Sequence, residues 1–237
     1  MNKVSSPYQS FGNPELVVAQ QRTYMTRVYG WMCVGLVFTA LAAWYTLSQD
    51  YLSAAIMSNG MLRLGLIVVE LGMVVVLSAA IGRLSPPIAT TLFLVYAALN
   101  GVTLSFLALL YTESSIAVTF AITASTFGAM SAYGYLTKRD LTSLGNLLVM
   151  LLLGFILASV VNLFFAVPAI YWITTFAGIA IFVGLTAYDT QKIKKIMAAT
   201  ADGSAANYKA AIIGALMLYL DFVNLFLLLL RLFGRRR

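Results

Sequence analysis

The chain has 237 residues, of which 61% are hydrophobic and only 10% charged, with a net charge of +7. A soluble domain carries about 25% charged residues, so the apolar content exceeds what one water-soluble core buries and the bilayer is the natural solvent. The basic excess sits in the connections, where it reads as topology and contact with anionic headgroups. Nucleic-acid binding would need a basic stripe with interleaved aromatics on a soluble domain, and none is present.

Residues 1–21 read as a flexible tail containing Pro7, Gly12 and Pro14, and 1–27 as a polar cytoplasmic N-terminal region. No apolar core of a cleaved signal peptide stands near the start, so the first span is expected to act as an uncleaved insertion signal. A helical span needs about 20 apolar residues, and seven such runs follow. They are Val28–Leu47, Leu62–Ile81, Ile88–Leu110, Ile116–Leu136, Leu147–Val167, Ile170–Tyr188 and Ala211–Leu230. Polar or turn-forming groups separate them: Gln49-Asp50, Gly82-Arg83 with Pro86-Pro87, Thr112-Glu113-Ser114, Lys138-Arg139-Asp140, Pro168, and Asp202-Gly203-Ser204-Ala205-Ala206-Asn207. Residues 28–237 are therefore expected to form an all-α, seven-helix transmembrane domain. No internal repeat is visible, so no inverted-repeat transporter fold is implied.

Orientation follows from lysine and arginine. With the N-terminus in the cytoplasm, the inner side holds Lys3, Arg22, Arg27, Arg83, Lys138, Arg139, Lys192, Lys194, Lys195 and Lys209, and the outer side before the tail only Arg63. Seven full spans leave Arg231 and Arg235–Arg237 outside, against the rule, whereas a re-entrant last segment returns them inside. A late tail has little power over six spans already placed, so seven spans are expected.

Two aspartates interrupt this apolar pattern. Asp221 lies within the last run and Asp189 at the inner end of the sixth. A carboxylate near the middle of a span costs roughly 2.5–3.5 kcal/mol on insertion scales, a cost tolerated where the group lines a polar interior or is paired. Their midpoint is position 205, inside the last turn-like stretch, so an antiparallel hairpin about that turn sets them at one depth. Two carboxylates in close contact cannot both ionise easily and titrate as a unit. Such a pair can share a proton and exchange it for a hard cation such as Ca²⁺. Taken singly, Asp221 can instead be an interhelical hydrogen bond, and Asp189 a solvated helix end with an i,i+3 ion pair to Lys192.

Glu70, near the centre of the second run, is either a permeation-path acid or a structural hydrogen bond. Arg83 is either a counter-ion for a cytoplasm-facing acid or a topology-setting loop residue. Asn224 shares a helix face with Asp221. Asn100 and Asn162 read as glue between helices, and Gly154-x-x-x-Ala158 and Gly128-x-x-x-Ala132 as close-packing seams. Trp44, Tyr45, Tyr111, Tyr171 and Trp172 read as an interfacial belt. The single cysteine, Cys33, excludes an intrachain disulfide and a cysteine metal cluster. The absence of histidine excludes Ser-His and Cys-His catalysis and histidine-ligated zinc or haem. Charge switching near neutral pH is left to perturbed carboxylates.

The segments Gly184-Leu185-Thr186-Ala187-Tyr188-Asp189-Thr190-Gln191 and Leu218-Tyr219-Leu220-Asp221-Phe222-Val223-Asn224-Leu225-Phe226 resemble the two hallmark stretches of the Bax inhibitor-1, or transmembrane Bax-inhibitor-motif, family. The closing Leu229-Leu230-Arg231-Leu232-Phe233-Gly234 also fits. The resemblance covers all seven spans and is nearest to bacterial inner-membrane members. It implies a last helix surrounded by the other six and a pH-sensitive calcium leak gated by an aspartate pair, here Asp189 and Asp221. It further implies Glu70 as a pore acid and Arg83 as a latch whose loss of hold on protonation opens the path. No cofactor is implied beyond Ca²⁺ as the transported ion.

Two other functions compete with the leak. One is a non-transporting regulator that binds a membrane protein such as an ATP-dependent membrane protease, a role linked to some bacterial relatives. The other is an intramembrane aspartyl protease, suggested by two membrane aspartates. Such proteases resemble a Gly-x-Gly-Asp pattern with a later Pro-Ala-Leu. Position 221 stands instead in Leu218-Tyr219-Leu220-Asp221, no Pro-Ala-Leu occurs, and the expectation is a non-enzyme.

Overall fold

A computed structural model describes residues 14–80, 83–199 and 205–237. These residues form eight α-helices: α1 Pro14–Ser48, α2 Asp50–Ser58, α3 Gly60–Ala80, α4 Pro86–Leu110, α5 Glu113–Leu136, α6 Thr142–Phe165, α7 Pro168–Ala199 and α8 Ala205–Phe233. All but α2 are long and apolar enough to cross a membrane, which makes seven spans. The boundaries follow local chemistry. Pro86 and Pro87 open α4 in the first turn, where a missing N–H is harmless. The Thr112 side chain accepts from the Ser115 N–H to cap α5. Ala166 takes the left-handed conformation (φ 49°) at the end of α6, and Asn162 Oδ1 accepts from the Val167 N–H at 2.8 Å, so two residues suffice before α7.

Three expectations change. Residues 14–27 are helical, not tail, because Tyr24, Met25 and Val28 give them an apolar face buried in the core; residues 1–13 lie outside the described residues, as do 202–204 of the expected turn. The short α2 was not foreseen. It ends where Arg63 Nη1 donates to the carbonyls of Ile56 and Met57, at 2.5 and 2.9 Å. The last helix is not ringed by six others. Its main neighbours are α1, α4, α5 and α7, while α3 packs on α4, and α6 on α7, from outside. The outward faces of these two are apolar, so lipid accepts them at no cost. Still, α8 is the most buried span: 67% of its most apolar stretch is buried, against 39% or less elsewhere.

The spans thus fall into two groups, α1–α3–α4 and α5–α6–α7, with α8 lying against both. The close crossings are made by glycines, though not those of the expected seams. Gly128 and Gly154 have no neighbour within 4 Å of a Cβ placed on them. At Gly101, a Cβ would stand 2.2 Å from the Thr39 carbonyl oxygen, and at Gly134 2.2 Å from that of Ala187. Only glycine allows these backbones to approach so closely.

The C-terminal tail docks on the α4–α5 turn, at the opposite end of the bundle from the start of α1. Tyr111 and Arg236 form an antiparallel bridge. The Thr112 N–H donates to the Arg235 carbonyl at 3.0 Å and the Arg237 N–H to the Leu110 carbonyl at 2.9 Å. The last segment is therefore a full seventh span, not a re-entrant one. Tyr111 is buried beneath the tail rather than standing in a belt, whereas Trp44, Tyr45 and Trp172 are exposed on the surface of the bundle.

Candidate functional site

Asp189 and Asp221 meet. One comes from α7 and the other from α8, and their carboxyl groups are within hydrogen-bonding reach of each other. Asp221 is buried at 4% exposure and Asp189 is half-buried. No donor among the described residues reaches Asp221 Oδ2. Two ionised carboxylates have no hydrogen to share, so the contact as a hydrogen bond requires one proton between them. Without that proton the site is a pair of like charges with an unmet buried acceptor, which suits a hard cation. Among the described residues no group of three or more histidine, cysteine or acidic side chains clusters for a resident metal.

Packing fixes the position of Asp189. Ala187 lies against Gly134, and the Tyr188 ring fills the space beside Gly145 on α6. Just beyond it, the C-terminal end of α7 is tied to the α5–α6 connection. Gln191 Oε1 accepts from the Leu141 N–H at 2.9 Å, and Gln191 Nε2 donates to the Arg139 carbonyl at 2.8 Å. Lys194 donates to the Tyr135 carbonyl at 2.9 Å, and Lys195 pairs with Asp140 at 2.6 Å. Asp140 lies outside the spans. Lys195 and the Thr142 hydroxyl and N–H hold its carboxyl at about 2, below the ordinary range. Gln191 does not stand out in the sequence, since of the nearby polar residues only Thr186 and Thr190, four apart, share a helix face. Thr190 also contacts Tyr29 and Ser131 through hydroxyls at 3.4 Å.

The other candidate residues stand elsewhere. Arg83 is exposed in the turn before α4 and pairs with no described residue, so it does not latch the aspartates. The cation whose field reaches both carboxylates is Lys192. Lys192 lies 5.8 Å from the centre of the Tyr188 ring and forms no close ion pair with Asp189. Asn224 donates to the Leu220 carbonyl of its own helix at 2.8 Å.

Glu70 is buried and accepts from Thr103 Oγ1 at 2.6 Å. Its charge reaches Tyr96 and Tyr219. Tyr219 donates to Thr39 Oγ1 at 2.7 Å, which itself donates to the Ala97 and Gly35 carbonyls. This polar group joins α8 to α1 and α4, while Asp221 joins it to α7. Neither asparagine bridges two helices: Asn100 reaches only Tyr96 of α4, and Asn162 caps α6.

A bundle of seven spans whose last two helices meet at a carboxyl pair defines a class of multi-pass membrane protein. The family model described as "Inhibitor of apoptosis-promoting Bax1" matches residues 21–237, and the chain belongs to that Bax inhibitor-1 family. It is 51% identical over 217 residues to "Inner membrane protein YbhL" of Escherichia coli (strain K12), covering 91% of this chain and 93% of that protein. An uncharacterized protein of Borreliella burgdorferi is 44% identical over 214 residues, covering 90% of this chain and 92% of that one. Another, of Deinococcus radiodurans, is 40% identical over 233 residues, covering 98% and 99%.

Proposed function

We propose that this protein is a non-enzymatic, proton-responsive leak for Ca²⁺ in a bacterial inner membrane, gated where Asp189 meets Asp221. The observation that carries this reading is the contact itself: a buried carboxyl on α8 against a half-buried one on α7. A shared proton ties α7 to α8. Its loss leaves two like charges that repel and an acceptor open to a cation. The passing Ca²⁺ is cargo, held transiently by the two carboxylates. This gate differs from the expected arginine latch, because the hold is carboxyl to carboxyl and the nearby cation is Lys192.

The test is Ca²⁺ flux into proteoliposomes against pH. Wild type is expected to show a pH-dependent flux. Asp221→Asn and Asp189→Asn each keep a hydrogen-bonding side chain but remove the exchangeable proton, and each is expected to flatten that dependence. Survival of the full pH dependence in both variants defeats the mechanism.

A further inference from the structure

At the end of the bundle that carries the C-terminal tail, a cavity of about 750 Å³ opens between α6, α7 and the tail, and Arg231 and Arg236 both line it. No aspartate or glutamate does. The acid near the tail, Glu113, pairs at 3.1 Å with Arg237, which is not part of the lining. The Arg231 guanidinium lies 4.6 Å from the centre of the Tyr171 ring and donates weakly to Thr175 Oγ1 at 3.5 Å. Arg236 lies beside Tyr111 and Tyr171. Aromatic and hydroxyl partners orient both cations without neutralising them.

Further donors face the same space. Ser159 Oγ is buried with no partner. Asn162 spends its carbonyl on Val167, which leaves its amide free to donate. The remaining wall is apolar and runs out to the lipid-facing surface through Leu163, 71% exposed, and Trp172, 47% exposed. A ligand that fits carries an oxyanion for the arginine forks and an apolar body for the wall. Basic pockets between spans recognise anionic headgroups in this way.

We propose that this cavity binds the phosphate-bearing headgroup of an anionic phospholipid, with Arg231 and Arg236 as its phosphate ligands. The bound phosphate also accounts for arginines at an end of the bundle where the charge rule leaves few.

The test follows thermal unfolding of the full chain in detergent as phosphatidylglycerol, phosphatidylcholine or inorganic phosphate is added. Phosphatidylglycerol alone is expected to raise the wild-type midpoint. Removing the arginines in R231Q/R236Q is expected to weaken its apparent affinity by about fivefold for each. R237Q, which removes a charge from the same tail outside the cavity, is expected to leave the affinity unchanged. Equal affinity in wild type and R231Q/R236Q overturns the site, as does an equal loss in R237Q. Inorganic phosphate matching phosphatidylglycerol overturns the lipid assignment, and phosphatidylcholine matching it overturns the charge assignment. Should the double variant fail to fold, R236Q alone is read by the same criteria, since that side chain is exposed.

Discussion

Gly134 of α5 lies against the backbone of Ala187 of α7, so that a Cβ at 134 would stand 2.2 Å from the Ala187 carbonyl oxygen. Ala187 is two residues before Asp189, and this crossing therefore sets where α7 presents its carboxyl. The neighbouring atoms are backbone, which has no rotamer to yield.

Gly134→Ala is accordingly expected to lose about 1–3 kcal/mol of stability. Gly128→Ala, on the same helix with nothing within 4 Å, is expected to be neutral or to gain up to about 1 kcal/mol from helix propensity. Denaturation of the purified protein in detergent compares the two. An equal loss in both contradicts the assignment of the crossing.

On the proposed leak, Lys192 is a fixed positive charge facing the cation site. Lys192→Gln is expected to raise Ca²⁺ flux by about fivefold, and Arg83→Gln to leave it unchanged. Vesicle flux at one pH separates them. The opposite order reinstates Arg83 as the controlling cation.

Thr39→Val leaves the buried Tyr219 hydroxyl without an acceptor and is expected to cost about 1–3 kcal/mol. Tyr219→Phe removes the donor and leaves Thr39 still bonded to backbone carbonyls, so its cost is smaller, about 1 kcal/mol. Equal costs measured by unfolding refute Tyr219 as the donor.

Asp140 titrates at about 2 in the folded chain, below its ordinary value of about 3.9. The lowered value means that its contacts support the fold above the ordinary pKa and lose that support as pH falls through the folded one. The group is solvent-exposed and screened, so the effect on stability is small. A carbon-detected NMR titration should give the low value in wild type and a value closer to the ordinary one in Lys195→Met. No change in that variant removes Lys195 as the cause.

With the N-terminus in the cytoplasm, the docked tail faces outward. After Cys33→Ser, a cysteine replacing Arg237 is expected to react with an impermeant thiol reagent in intact cells, and one replacing Lys195 only after lysis. The reverse pattern inverts the orientation.

The spans were legible because runs of about 20 apolar residues have few other fates. Their ends were less so, since α1 and α7 continue as helices past the apolar stretch. The Asp189–Asp221 contact could be anticipated because each carboxylate is conspicuous in its surroundings and the two are symmetric about one turn. The seams could not: Gly128 and Gly134 differ only in what stands opposite, and spacing within one helix carries no record of that. Gln191 was hidden for a related reason, because its partners stand in the α5–α6 loop, whereas Lys192 was legible as a neighbour of Asp189 but not in its lack of a close ion pair, which depends on how α7 is rotated.

Two residues apart on α8, Tyr219 and Asp221 grip opposite halves of the bundle by different means. The hydroxyl grip on α1 carries no charge, whereas the carboxyl grip on α7 holds only while a proton is present. On the proposed gate, acidity therefore acts on one side of α8 alone: when the proton leaves, α8 keeps its hydroxyl hold on α1 and α4, and the repulsion falls between it and α7.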